Sequence, residues 1–126
     1  IDQIVLGQKK KHSTCAIVGN GQRQLLSHMG PTIDSYDAVI RLNQAPTEGF
    51  EDYVGSKTTY RLINNFWATT YGKKREKLLL DPLQKGRLAL EGNVTLIASR
   101  TDGQKYLTLV KLLEKTRPDV KIIQLS

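Results

Sequence analysis

Cysteine is almost missing from this chain: Cys15 is alone among 126 residues, so no disulfide can close within it and no cysteine-based metal or redox motif is written in it. Histidine is nearly as scarce, with His12 and His28 the whole supply, and no metal site is expected. Aromatic residues make up only 6%, and none interleaves with the basic clusters Lys9-Lys10-Lys11 and Lys73-Lys74-Arg75 with Lys77. A stacking platform for single-stranded nucleic acid is therefore absent from both clusters, which read as solvated faces, and no nucleic-acid partner is expected. No apolar run approaches the ~20 residues of a membrane span, and no charged, apolar and small-residue succession opens the chain as a signal peptide would. Acidic residues are in deficit, 12 against 19 basic, giving a net charge of +7. An excess of that size points to an anionic partner such as a nucleotide.

What remains is ordinary globular material, with 39% apolar residues and neither repeats nor low-complexity stretches. Residues 1–14 read as a basic leader. Cys15-Ala16-Ile17-Val18 is a short apolar run stopped by Gly19-Asn20-Gly21, which predicts a buried strand and a sharp turn. Gln22 to Met29 predicts a short helix ended by Gly30-Pro31. Residues 37–42 and 58–63 predict two more strands, the first interrupted by Arg41, and residues 94–98 a fourth. Between them, 73–90 has a poorly defined helical pattern. Tyr106, Leu109, Val110 and Leu113 recur at i, i+3, i+4 and i+7 and predict an amphipathic helix. Arg117-Pro118-Asp119 stops it, and residues 120–125 predict a last strand. Strand and helix alternation of this kind indicates an α/β domain with a Rossmann-like, largely parallel sheet flanked by helices. The chain opens on Ile1 and closes on an apolar strand, so it is expected to be a piece of a longer protein.

A strand that runs into a glycine-flanked turn and then a helix is how α/β folds approach a phosphate, because small residues bare backbone N–H groups to the anion. Gly19-Asn20-Gly21 occupies that position, though Gln24 stands where a dinucleotide fingerprint wants a third glycine. Asn43 and Asn64 follow the second and third strands, so three asparagines stand at C-terminal strand ends, where open α/β sheets bind their ligands. An Asn side chain both donates and accepts hydrogen bonds, so it reads a nucleotide without adding charge. It also suits turns and helix caps, which is the competing role at each position.

CAIVGNG at 15–21, GPTIDSYDAVIRLNQAP at 30–46, GF at 49–50 and DYVGSKTTYRLIN at 52–64 together resemble the large sialylmotif of the animal-type sialyltransferases. Beyond Asn64 the likeness loosens. The resemblance implies a variant glycosyltransferase-A fold and transfer of sialic acid from CMP-sialic acid to a glycan hydroxyl, with inversion and without a metal or other cofactor. It makes Asn20, Gly21, Asn43 and Asn64 the contacts to the CMP donor, and residues 15–126 the donor-binding half of the catalytic domain. It implies that Cys15 forms a disulfide to a cysteine in a second motif further along a longer chain. A lumenal Golgi enzyme with a membrane anchor would follow, and the sequon Asn93-Val94-Thr95 fits such a compartment. Tyr36 and Tyr60 depart from common family forms, and Gln22-Arg23 replaces a small pair. These departures blur the linkage made, although TTYRLIN is closest to the α2,6-galactoside branch.

Inverting transfer needs a general base, and neither histidine matches the family's catalytic one. His12 lies in the leader and His28 in the short helix, both read as surface residues, so catalysis is expected to need residues beyond Ser126. Arg41 and Arg61 are expected to pair with Asp34, Asp37 or Asp52, and Gly55 to hold a backbone conformation that other residues resist. The alternative is a Rossmann-like domain binding NAD or S-adenosylmethionine. Against it stand the missing third glycine and Asn43, where an acidic residue belongs at the tip of the second strand.

Overall fold

The computed structural model describes residues 12–72 and 90–125. The apolar runs become five parallel strands, β1 (Cys15–Val18), β2 (Ala38–Leu42), β3 (Tyr60–Ile63), β4 (Thr95–Ser99) and β5 (Lys121–Leu125), ordered β1-β2-β3-β4-β5 in one sheet. Each crossover steps to the next neighbour in the same direction, so right-handed connections place their helices on a common face. The pairing agrees. Val18 lies beside Arg41, Arg41 beside Arg61, Arg61 beside Leu96 and Leu96 beside Ile122, all on one side of the sheet.

That side carries the described helices: α1 (Gly30–Asp34), α2 (Glu51–Val54), α3 (Asn65–Gly72) and α4 (Gly103–Thr116). Ile33 of α1 and Val54 of α2 pack with Val18 and Val39. Ala68 and Tyr71 of α3 and Leu109 and Leu113 of α4 close over Ile63, Leu96 and Ala98. Leu96 and Leu109 are fully buried, and each such side chain stabilises by ~1.5–3 kcal/mol. On the opposite side Ala38, Ile40, Tyr60 and Ile97 form a separate apolar layer with Leu62, Ile123 and Leu125. A short helix such as α1 or α2 has too little of its own hydrogen bonding to stand alone, so this packing sustains it. Helix α4 adds a cap: Asp102 accepts from the backbone N–H groups of Gln104 and Lys105 at 3.1 and 3.2 Å.

Several expectations are corrected here. Gly30-Pro31 does not end a helix but begins α1, where proline's missing N–H costs nothing. Gly30 is needed there because a Cβ would collide with the Glu51 carbonyl of α2. The segment after β1 is not an α-helix but a short 3-10 helix, Gln22–Leu26. His28 lies beyond that turn, stacked on Tyr53 with ring centroids 4.6 Å apart. His28 is exposed, as expected, whereas His12 is half-buried, its Nε2 3.0 Å from the hydroxyl of the buried Tyr60. Gly55 takes a φ of +76° at the end of α2, as its expected role requires. The helical pattern over 73–90 lies outside the described residues except at its last position, and so does Lys9-Lys10-Lys11.

Candidate functional site

Buried cations organise the C-terminal edge of the sheet. Arg41 and Arg61 are neighbours on β2 and β3 with 1% and 0% exposure, and a guanidinium cannot be left there without acceptors. Arg41 finds carbonyls: its Nη1 donates to Val54 and its Nη2 to Lys57, while Nε donates to the Lys57 carbonyl and the Thr58 hydroxyl. Burial first, and then the charge of Arg61, lower its pKa from the ordinary arginine value. Arg61 donates through Nε and Nη2 to the Glu91 carboxylate at 3.1 and 2.5 Å. Its Nη1 reaches the carbonyls of Asn43 and Ala45 at 2.8 and 3.0 Å. Burial alone would raise the Glu91 carboxyl, but the hydrogen bonds and charge of Arg61 outweigh it and hold the pKa below its ordinary value.

The expected partners of these arginines are therefore corrected. Asp34 accepts from the backbone N–H groups of Ser56 and Lys57 at 3.0 Å, and touches Arg41 only through its field. Asp37 accepts from those of Ser13 and Thr14, which hold its pKa down. Neither makes an ion pair with an arginine among the described residues, nor does Asp52. The partner that sequence reasoning missed is Glu91. The signal for it was Arg61 itself, a cation inside an apolar strand, which demands an anion from somewhere.

The turn after β1 bounds a cleft of about 160 Å³. Val18, Leu25, Ala45, Pro46, Phe50 and Val54 supply apolar walls, and Arg41 borders it. Asn20, Gly21, Gln22 and Gln24 bring neutral polar groups to its rim. The fold does not itself demand glycine in this turn. A Cβ at Gly21 would meet nothing, and one at Gly19 only the Gln24 amide at 3.6 Å. Leaving both bare keeps backbone open to a ligand. Asn20 is exposed and has no hydrogen-bond partner among the described residues. The lining contains no histidine and no carboxylate, so this cleft offers no general base of its own.

Asn43 and Asn64 stand beside it, outside its lining but joined to each other. Asn43 adopts a left-handed φ of 49°, which Asn tolerates better than most residues. Its corner is fixed four ways: Arg61 grips its carbonyl, its own N–H donates to Leu62, the Gln44 amide donates to the Tyr71 hydroxyl, and its Oδ1 accepts from the Asn64 N–H at 3.0 Å. Asn64 in turn accepts through Oδ1 from the Trp67 N–H at 3.0 Å and so caps α3. Asn65 accepts from the Asp102 N–H, which ties the starts of α3 and α4 together. The competing structural roles are thus real at Asn43 and Asn64. Each uses one acceptor site of its amide oxygen.

The remaining expected positions lie elsewhere. Cys15 is exposed on β1, and partial burial pushes its thiol pKa up. Asn93 is exposed in a left-handed turn before β4, its N–H donating to Asp119 at 2.9 Å. Arg117, hydrogen-bonded to the same Asp119, holds that carboxyl well below the ordinary range. Among the described residues no cluster of His, Cys, Asp and Glu is placed to hold a metal ion, and no helix is long and apolar enough to cross a membrane.

A family model described as glycosyltransferase family 29 (sialyltransferase) matches residues 2–123. Beta-galactoside alpha-2,6-sialyltransferase 2 of Danio rerio is 43% identical over 86 residues, 68% of this chain and 15% of that protein. A CMP-N-acetylneuraminate-beta-galactosamide-alpha-2,3-sialyltransferase 1 of Sus scrofa is 57% identical over 49 residues, 39% of this chain and 14% of that one. The crystal structure of a mammalian sialyltransferase in complex with Gal-beta-1-3GalNAc-ortho-nitrophenol superposes with a TM-score of 0.53 at 33% identity, over 74% of this chain and 27% of that one. The chain thus spans roughly a seventh of the length of these curated relatives. Relatives of both the alpha-2,6 and the alpha-2,3 kind match, so the linkage is not decided by similarity.

Proposed function

This chain belongs to glycosyltransferase family 29, the sialyltransferases, and on that premise we propose that it forms the donor-nucleotide half of an enzyme transferring sialic acid from CMP-sialic acid to a glycan hydroxyl. The observation that carries this reading is the cleft at the end of β1. Its glycine-bared turn, its neutral amide rim and the Asn43 and Asn64 amides beside it stand at C-terminal strand ends, the location where open parallel sheets take nucleotides. Asn20, Gly21, Asn43 and Asn64 hold the CMP moiety in this proposal. Buried Arg41 sets a positive potential behind the cleft that favours the donor's phosphate, since among the described residues no carboxylate is hydrogen-bonded to it.

The chemistry is inversion at the anomeric carbon without a metal. A general base must take the proton of the attacking hydroxyl, and the cleft supplies none. His12 is hydrogen-bonded to Tyr60, and neither it nor His28 lines the cleft, so the 126 residues by themselves bind nucleotide without transferring sugar. The acceptor is a glycan of a glycoprotein or glycolipid. The complete protein is membrane-anchored in the Golgi with this domain in the lumen, where Cys15 pairs with a cysteine outside this chain and Asn93 carries a glycan.

Titration calorimetry with CMP, NAD and S-adenosylmethionine tests the reading. CMP is expected to bind, the other two not, and Asn20→Ala is expected to weaken CMP about tenfold by removing hydrogen bonds to a charged ligand. Binding of NAD or S-adenosylmethionine in preference to CMP would overturn it.

A further inference from the structure

We propose that Glu91, which lies outside the cleft, is a positioning residue for it: through Arg61 it fixes the turn after β2 whose Ala45 and Pro46 form one wall. The proposal rests on the reading of this cleft as a nucleotide site and names what holds it in shape. Two buried guanidinium groups each grip one wall. Arg61 donates through Nη1 to the carbonyls of Asn43 and Ala45 at 2.8 and 3.0 Å. Arg41 donates through Nη1 to the carbonyl of Val54, itself a lining residue, at 2.9 Å. Between these grips the chain has no other polar tie to the sheet. Pro46 has no N–H to give, and residues 46–53 make no hydrogen bond to a strand among the described residues. The stretch carrying Pro46 and Phe50, both in the lining, is therefore suspended between Ala45 and Val54.

The two grips are not equally secure. Arg41 has acceptors on every side, from the Val54 and Lys57 carbonyls to the Thr58 hydroxyl. Arg61 has the two carbonyls of the turn and otherwise only Glu91, which takes Nε and Nη2 together. A guanidinium is a rigid planar fork, so a carboxylate holding one edge aims the remaining nitrogen. Glu91 thus decides where Nη1 points, and Nη1 holds the turn. The reach is long: Glu91 precedes β4, Arg61 lies in β3 and Ala45 follows β2. Thr58 faces the same carboxylate while accepting from Arg41 Nε at 2.9 Å, so Glu91 adjoins the anchors of both walls.

Calorimetry with CMP, on variants shown to be folded by Trp67 fluorescence, separates positioning from mere stability. Glu91→Gln is expected to bind CMP about five- to tenfold more weakly than wild type, the scale of coupling that hydrogen-bonded networks carry. Leu113→Ala truncates the core away from the cleft and, while folded, is expected to bind as wild type does. Arg61→Met combined with Glu91→Leu replaces the ion pair by apolar side chains, an exchange that buried sites commonly accept without losing stability. This double variant is expected to unfold no earlier than Glu91→Gln and still to bind CMP weakly, because the grip on Ala45 is gone. A purely structural role for Glu91 would instead return affinity along with stability. Wild-type affinity in folded Glu91→Gln or in the double variant would overturn the proposal, as would an equal loss in Leu113→Ala. Should NAD or S-adenosylmethionine prove to be the nucleotide bound, the reading as a CMP site fails, while the same variants titrated with that nucleotide still decide the role of Glu91. No binding by any of the three to the wild-type chain overturns both.

Discussion

Truncating Glu91 strands a cation in the interior, and the structure lets the cost be worked out. Arg61 is completely buried, whereas the Glu91 side chain is 29% exposed, so water reaches part of the carboxylate and screens it. Removing one member of a buried ion pair costs ~3–5 kcal/mol. Arg61 keeps two carbonyl acceptors after Glu91→Ala, which with the partial screening puts the expected loss near the lower end, about 3 kcal/mol. Glu91→Gln retains an oxygen for one guanidinium N–H and is expected to lose about 1–2 kcal/mol. Urea unfolding at neutral pH measures both, with Trp67 as the reporter because it is the only tryptophan and packs half-buried against the core of α3 and α4. With a slope of ~2 kcal/mol per molar urea, the alanine variant's midpoint should fall by about 1.5 M. A fall corresponding to less than about 1 kcal/mol would refute the reasoning, because Arg61 would then have found solvent or another acceptor at little cost.

Acid should destabilise the chain in a defined window. Asp34, Asp37, Glu91 and Asp119 all have folded-state pKa values below their ordinary ones, so each contributes stability that is complete above its unfolded pKa and lost as pH falls through its folded one. Unfolding free energy is expected to stay level from about pH 7 to pH 5 and to decline below about pH 4, more gently in Glu91→Gln; a rise in stability on acidification below pH 4 would contradict these assignments. Expression through a secretory pathway tests the compartment reading: intact mass should show a glycan that Asn93→Gln removes, and its absence from material bearing other secretory modifications would count against a lumenal Asn93.

The central strands were legible because a parallel strand covered on both faces reads as an apolar run; β1, expected to be buried, is instead an edge strand with Cys15 exposed and Ile17 66% exposed. β1 matches its expected bounds, and the others shift by no more than two residues. Helix α4 was legible for a different reason, since one of its faces meets the core and Leu109 and Leu113 lie on the expected stripe. Helix α2 is a single turn and leaves no periodicity to find. In α3 the buried Ala68 and Tyr71 share a segment with Phe66, 62% exposed, and β-branched Thr69 and Thr70, so neither pattern nor propensity marks it. Gly30-Pro31 misled because proline suits both the residues after a helix and its first turn. The three asparagines were visible as strand-end residues, but the partners of their amides are groups that only the folded chain brings near.

The buried arginines bear on the charge that first suggested an anionic partner. Lys9-Lys10-Lys11 and Lys73-Lys74-Arg75 are runs in sequence, whereas Arg41 and Arg61 are single residues inside β2 and β3. A surface lysine is screened by water and salt over about 8–10 Å, while a buried guanidinium is not. Arg41 and Arg61 sit side by side, Arg61 paired with Glu91 and Arg41 within the field of Asp34 and Glu91 but hydrogen-bonded to neither. Carbonyls satisfy the hydrogen bonds of Arg41 without cancelling its charge, so the fold can keep the cation buried and still present its field. A neutral amide rim over a buried cation attracts an anion without pairing tightly to it. On the proposed reading, that suits a nucleotide that binds as a sugar donor and leaves as the monophosphate.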